Sequence, residues 1–267
     1  MNHKLTKNTR LDIIPYFNYN GKNVYYELND TEIKEKAIIF IHGSGGSTYT
    51  WKDQLANLNL NYSVIAIDLP SHSKTEEFSN LSLDLYVDVL KGLVENLNLN
   101  EIILTGHSLG GAVTMDFYFK YPKKISALIL IGTGARLRVS QNIFNLLQHN
   151  FQLFLDQYPS VFDRKTSKDI YKPVIDRVAE TNPDVTLTDY NICDKFDIMD
   201  QVSEITLPVL LICGSEDQMT PVKYTNFLAE RITSSVPVII DGGTHWVYLE
   251  KPEAVNKAID DFLSRLN

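Results

Sequence analysis

Short, wholly apolar runs recur along this chain, each ending in glycine, serine or proline, with helix-like spacing between them. Residues 37–41, 64–67, 102–104, 209–213 and 238–240 are such runs, and 125–131 is a sixth, interrupted only by Ser126. A β-branched stretch without polar alternation suits a strand buried on both faces, so these six predict parallel strands inside a sheet. Residues 13–28 alternate loosely and break at Asn20-Gly21, a hairpin dipeptide, which predicts two antiparallel strands at the start. Ser82 can cap a helix carrying Leu85, Tyr86, Val89, Leu90, Leu93, Val94 and Leu97 on one face. Residues 112–121 predict a second helix, stopped by Pro122, and Pro252 opens a closing helix with Val255, Ile259, Phe262 and Leu266 on its apolar side. The rhythm implies an α/β fold: a mostly parallel, twisted sheet of about eight strands with helices on both faces.

That rhythm breaks from Arg136 to Ile205, where helical, aromatic-rich segments such as Ile143-Phe144 and Phe154-Leu155 replace strands. The expected organisation is a core of residues 1–135 and 206–267 with a helical cap, residues 136–205, lying over the carboxyl edge of the sheet.

Composition narrows the possible partners. The chain has 267 residues, 44% hydrophobic and 22% charged, enough for one large domain with a real core. Its net charge of −8 and isoelectric point near 5.3 come without a basic stripe, which argues against nucleic acid and against an anionic membrane surface. No apolar stretch approaches the roughly 20 residues of a bilayer span, and Met1-Asn2-His3-Lys4-Leu5 lacks a signal-peptide core, so a cytoplasmic protein is expected. Cys193 and Cys213 are expected to stay free, and the histidines and carboxylates lack zinc-type spacing, so no metal or other cofactor is expected.

The chemistry centres on Gly106-His107-Ser108-Leu109-Gly110, a small-x-Ser-x-small pentapeptide between a strand and a helix. A serine at such a turn presents its hydroxyl at the sheet's carboxyl edge, which makes Ser108 the candidate nucleophile. A serine hydroxyl needs a base, and His245, after the last strand, reaches the same edge. Asp217, past the preceding strand, is the candidate carboxylate that orients His245; Glu216 is adjacent, and Asp68 reads as a structural turn residue. Two backbone N–H groups should face the developing oxyanion: Leu109, at the start of the helix, and Ser44, in His42-Gly43-Ser44-Gly45-Gly46. That loop lacks the Gly-Lys-Ser/Thr of a phosphate cradle and the glycine spacing of a dinucleotide site. His42, His72 and His107 read as structural, and His3 and His149 carry no signal.

These stretches, with Gly214-Ser215-Glu216-Asp217, Gly243-Thr244-His245-Trp246 and Glu250-Lys251-Pro252, resemble a lidded α/β-hydrolase-fold protein from about residue 37 to the end. The resemblance implies the triad Ser108, Asp217 and His245 and the oxyanion donors Ser44 and Leu109. One departure stands out: where the family commonly has Asp-x-Pro-Gly-His-Gly, this chain has Asp68-Leu69-Pro70-Ser71-His72-Ser73, so this turn is expected to be built differently. The expected reaction is hydrolysis of a carboxylic ester of a small or medium hydrophobic substrate through an acyl-enzyme. A lactonase, thioesterase, C–C bond hydrolase, cofactor-free peroxidase or low-turnover small-molecule receptor are the alternatives. The expected partner is a small-molecule substrate, and no feature specifies an oligomeric state.

Overall fold

The computed structural model describes residues 15–29, 33–58 and 62–266. His3, Ile13, Ile14 and the amino-terminal residues read for a leader lie outside them.

Tyr16–Tyr19 (β1) and Lys22–Leu28 (β2) form the antiparallel hairpin, with Asn20 and Gly21 at φ 50° and 83°, values these two residues tolerate best. Lys36–Ile41 (β3), Lys52–Asn57 (α1), Ser63–Ile67 (β4), Leu83–Asn96 (α2), Glu101–His107 (β5), Leu109–Lys120 (α3) and Ile125–Ile131 (β6) follow. Gln141–His149 (α4), Phe151–Gln157 (α5), Lys168–Glu180 (α6) and Pro183–Lys195 (α7) then occupy the stretch before Val209–Gly214 (β7). Val222–Arg231 (α8), Ser235–Ile240 (β8), Val247–Glu250 (α9) and Pro252–Leu263 (α10) complete the chain.

The eight strands make one sheet in the order β1-β2-β4-β3-β5-β6-β7-β8, antiparallel at β1-β2 and β2-β4 and parallel elsewhere. Continuous apolar runs are required because both faces are covered. Along β3, Ile39 and Ile41 join one apolar cluster with Leu90 and Leu93 of α2 and Val113 of α3. Ile38 and Phe40 join the other, with Leu55 of α1 and Ile259 and Phe262 of α10. Ser82 caps α2 as expected, its hydroxyl accepting the Leu85 N–H at 3.2 Å.

Two boundaries lie outside the apolar runs of the sequence. The third helix begins at Leu109, where the oxyanion reading needs it, three residues before the apolar periodicity that starts at 112, and takes in Gly110 and Gly111 against their propensity. Close packing demands it, since a Cβ on Gly110 would stand 2.2 Å from the Ile41 carbonyl oxygen. Strand β8 begins at Ser235 rather than 238 and includes Pro237, which a sheet accepts because β8 is an edge.

Between β6 and β7 the described residues form helices and one isolated antiparallel bridge, Arg136 to Asp197. The bridge, and an Ile198 N–H to Ala135 carbonyl bond of 2.8 Å, join the two ends of this segment. Phe154, Tyr158, Phe162, Val174, Val178 and Tyr190 pack into the same apolar cluster as Phe40 and Trp246, so these helices share the core of the sheet. The β3, β5, β7 and β8 strands, parallel to one another, send the loops carrying Ser44, Ser108, Asp217 and His245 to one edge. No helix among the described residues is long and apolar enough to cross a membrane.

Candidate active site

Ser108 sits at φ 53° and ψ −115° between β5 and α3. This backbone is strained for a serine, by about 1–3 kcal/mol, and it persists because its surroundings determine it. The Ser108 N–H donates to the Ile131 carbonyl (3.1 Å), and its own carbonyl accepts from the Gly111 N–H (2.9 Å) and Thr133 Oγ1 (2.8 Å). Glycine at 106 is obligatory, because a Cβ there would lie 2.1 Å from the Gly110 carbonyl oxygen. The side of Ser108 that is not packed remains partly accessible.

Asp217 and His245 are brought together by the loops after β7 and β8. Asp217 Oδ2 lies 2.9 Å from His245 Nδ1, while Oδ1 accepts the N–H groups of Met219 and Thr220, each at 2.8 Å. Burial pushes the Asp217 carboxyl up, but neighbouring His245 and the hydrogen bonds from His245 and Thr220 outweigh it and hold the group well below the usual carboxylate range. Glu216, next in the chain, is exposed. His107 Nε2 donates to the His245 carbonyl at 2.9 Å and so holds the backbone of that loop; burial and the nearby His245 ring push its own basicity far down, leaving it neutral.

Ser44, Ser108 and His245 border one cavity of about 50 Å³, with Leu137, Tyr158, Tyr190 and Met219 as its apolar walls. Ser108 and His245 both border this space, and no hydrogen bond between their side chains is among those described; such contacts commonly tighten only with substrate. Leu109 is fully buried and does not border the cavity, but its N–H is the first of α3, where no intrahelical acceptor exists. His245 and Met219 also border an open cleft of about 830 Å³ lined by Phe162, Arg164 and Gln218.

The glycine loop that carries Ser44 is fixed by histidines and carboxylates. His42 Nδ1 donates to the Gly43 carbonyl (2.8 Å) and Nε2 accepts the Leu69 N–H (3.0 Å). Burial, aided by the neighbouring His72, lowers the His42 pKa to about 3, so the ring is neutral as this bonding requires. Asp68 is the turn residue the sequence suggests, accepting the Thr48 N–H at 2.6 Å and the Lys74 N–H at 3.1 Å. The expectation that Ser71 and Ser73 force a different turn is corrected: both take left-handed backbone, at φ 67° and 48°. Ser71 Oγ accepts the Phe78 N–H at 2.8 Å, a bond no glycine could make.

Residues 38–258 match the sequence pattern of the alpha/beta hydrolase family, the greater part of the chain. The chain belongs to the alpha/beta hydrolase family. The hydrolase is 24% identical over 270 residues to the 2-hydroxy-6-oxononadienedioate/2-hydroxy-6-oxononatrienedioate hydrolase of Escherichia coli strain K12, covering 92% of this chain and 93% of that protein. Its fold matches the solved structure of a thermophilic esterase at a TM-score of 0.84 and 31% identity, covering 94% of this chain and 97% of the other. The enol-lactonase of Burkholderia xenovorans LB400 has the same fold, with a TM-score of 0.84 at 21% identity over 94% of this chain and all of the other, 100%.

Several residues of the hydrolase site gave no signal in the sequence. Tyr158, Tyr190, Cys193 and Arg138 come to the cavity from the segment between β6 and β7. Cys193 Sγ stands 3.6 Å from Ser44 Oγ, with its thiol pushed up to about 12 by burial. Arg138 is committed elsewhere, donating to the Asp194 carbonyl at 2.6 Å and lying 3.5 Å from Asp197. Asp189, fully buried on α7, bonds at once to His72, Tyr86 and Gly45.

Proposed function

We propose that this hydrolase cleaves carboxylic esters of small or medium hydrophobic substrates through an acyl-enzyme on Ser108. His245 takes the Ser108 proton as the hydroxyl attacks the carbonyl, and Asp217 holds the ring in the Nδ1–H form and stabilises the imidazolium. The N–H groups of Ser44 and Leu109 face the oxyanion, a role worth about a hundredfold or more per donor. The collapse of that intermediate expels the alcohol, which receives its proton from His245; water, activated by the same ring, then releases the acid. The helices between β6 and β7, residues 136–205, act as a lid over this edge.

The observation that carries this reading is His245, bonded to Asp217 at 2.9 Å, sharing one cavity with a strained, partly accessible serine. The apolar walls and small volume favour a short acyl chain. A C–C bond hydrolase is the second reading, favoured by the Escherichia coli relative. That relative is named for a dicarboxylate, whereas Arg138, the one Lys or Arg bordering this cavity among the described residues, already donates to the Asp194 carbonyl and lies beside the Asp197 carboxylate. Steady-state hydrolysis of p-nitrophenyl esters with two to ten acyl carbons, run beside a hydroxy-oxo-dienedioate, tests the choice. Turnover that is fastest on short acyl chains supports the ester reading; turnover confined to the diketone overturns it.

A further inference from the structure

Asp189 is fully buried, yet it stands on α7, in the helical segment rather than on the sheet. Oδ2 accepts the Gly45 N–H at 2.8 Å and lies 2.9 Å from His72 Nε2, and Oδ1 accepts the Tyr86 hydroxyl at 2.7 Å. A carboxylate kept from water survives only when its oxygens are bonded, and here the partners come from three places: the glycine loop, the Ser71-His72-Ser73 turn and α2.

The two peptide planes flanking Ser44 are fixed from opposite sides. The Gly43 carbonyl accepts from His42 Nδ1 (2.8 Å) and from the Gly46 N–H (3.0 Å). Because C=O and N–H of a trans peptide point opposite ways, those bonds set the direction of the Ser44 N–H. The next plane carries the Gly45 N–H, and Asp189 holds that one. Gly45 sits at φ 64°, a left-handed value that a free loop would readily leave. The rings of His42, bonded to the Gly43 carbonyl, and His72, bonded to Asp189, lie 4.9 Å apart.

We infer that Asp189 is a positioning residue for the oxyanion loop, and that it makes the loop's productive shape depend on the helical segment being docked on the sheet. The inference rests on the ester-hydrolase reading for its kinetic consequence, but not for its structural one. Lid docking and oxyanion-hole assembly are then one event: moving α7 off the sheet removes the acceptor of the Gly45 N–H and frees the plane beside Ser44.

The test compares wild type with Asp189→Asn and with the milder Tyr86→Phe, which leaves the carboxylate on Gly45 but removes its second anchor. On p-nitrophenyl acetate, Asp189→Asn is expected to lower kcat by about ten- to a hundredfold with KM within about threefold, as loss of oxyanion alignment does. Tyr86→Phe is expected to lower kcat by about three- to tenfold in the same pattern. Hydrogen exchange across residues 42–47 should speed by about fivefold or more in Asp189→Asn while residues 101–106 of β5 keep their rate. Unchanged kcat and unchanged exchange at 42–47 in both variants overturn the inference. So does a uniform rise in exchange through the sheet with kcat and KM affected alike, which marks general destabilisation. A wild type without ester turnover refutes the ester reading, and exchange at 42–47 still decides the role of Asp189.

Discussion

Asp217 and His245 are tied by a direct bond and by a shared neighbour: Oδ2 stands 2.9 Å from Nδ1, and Thr220 Oγ1 donates to that oxygen at 2.8 Å while lying 3.2 Å from the ring nitrogen. With Oδ1 occupied by two backbone N–H groups, the carboxylate cannot rotate away, and the ring is held in one tautomer. Asparagine fills the same space but can turn its amide toward Nδ1 and select the wrong tautomer. Asp217→Asn is therefore expected to lower kcat by about 10³- to 10⁴-fold on any accepted ester, with the folded structure retained by circular dichroism.

Ser71 and Ser73, both with left-handed backbone in the turn after β4, differ in what they gain from their side chains. Ser73 is exposed, at φ 48°, and no hydrogen bond to its side chain is among those described, so Ser73→Gly should relieve strain and stabilise by about 0.5–1 kcal/mol after glycine's entropy cost. Ser71 gives up its Phe78 bond on the same change, and Ser71→Gly should be neutral within about 0.5 kcal/mol. Urea unfolding of the two variants checks the ordering.

Buried His42, with its pKa lowered to about 3, gives the fold an acid liability. The unfolded chain binds a proton at His42 near pH 6.5 that the native state refuses until about pH 3, so stability falls as pH drops through that window. His72 has the opposite sign: burial opposes its charge, but the pairing with Asp189 wins and raises its pKa, so its contribution is full below the unfolded value and fades as pH rises. His42→Gln should flatten the acid limb between pH 6 and 4 by about 1.4 kcal/mol per pH unit, one proton's worth, measured by urea unfolding across pH. A limb of unchanged slope would place the acid sensitivity elsewhere, with His107, whose burial likewise holds it neutral.

Packing at the elbow leaves no tolerance. Gly110→Ala would put a methyl 2.2 Å from the Ile41 carbonyl oxygen, a backbone atom that cannot yield without shifting β3. The cost should be about 3 kcal/mol or more, seen as a lowered denaturation midpoint or loss of soluble protein.

The sheet was legible because strands such as β3 and β7 are buried on both faces and so announce themselves as nearly unbroken apolar runs. The Ser108 elbow was legible because only glycine fits at 106 and 110. Short α1 and α8 escaped notice because each buries a thin stripe: Gln54 and Leu55 in one, Thr225 and Leu228 in the other. The start of β8 was hidden by Pro237, which reads as a break until the strand is known to be an edge. Asp189 could not be read at all, since its meaning comes from Gly45, His72 and Tyr86, each more than 100 residues away along the chain. Ser71 and Ser73 misled for the reverse reason: a rule about glycine was read as a prohibition when it is only a modest energetic preference.

The account stands on Ser108 as an activated nucleophile, and covalent capture tests that directly. Wild type and Ser108→Ala are exposed to a fluorophosphonate at neutral pH, and intact-mass and peptide mass spectrometry locate the adduct. The account predicts one phosphonyl group per chain, on the peptide containing Ser108, and none on Ser108→Ala. An unlabelled wild type, or an adduct that persists in Ser108→Ala, would contradict it.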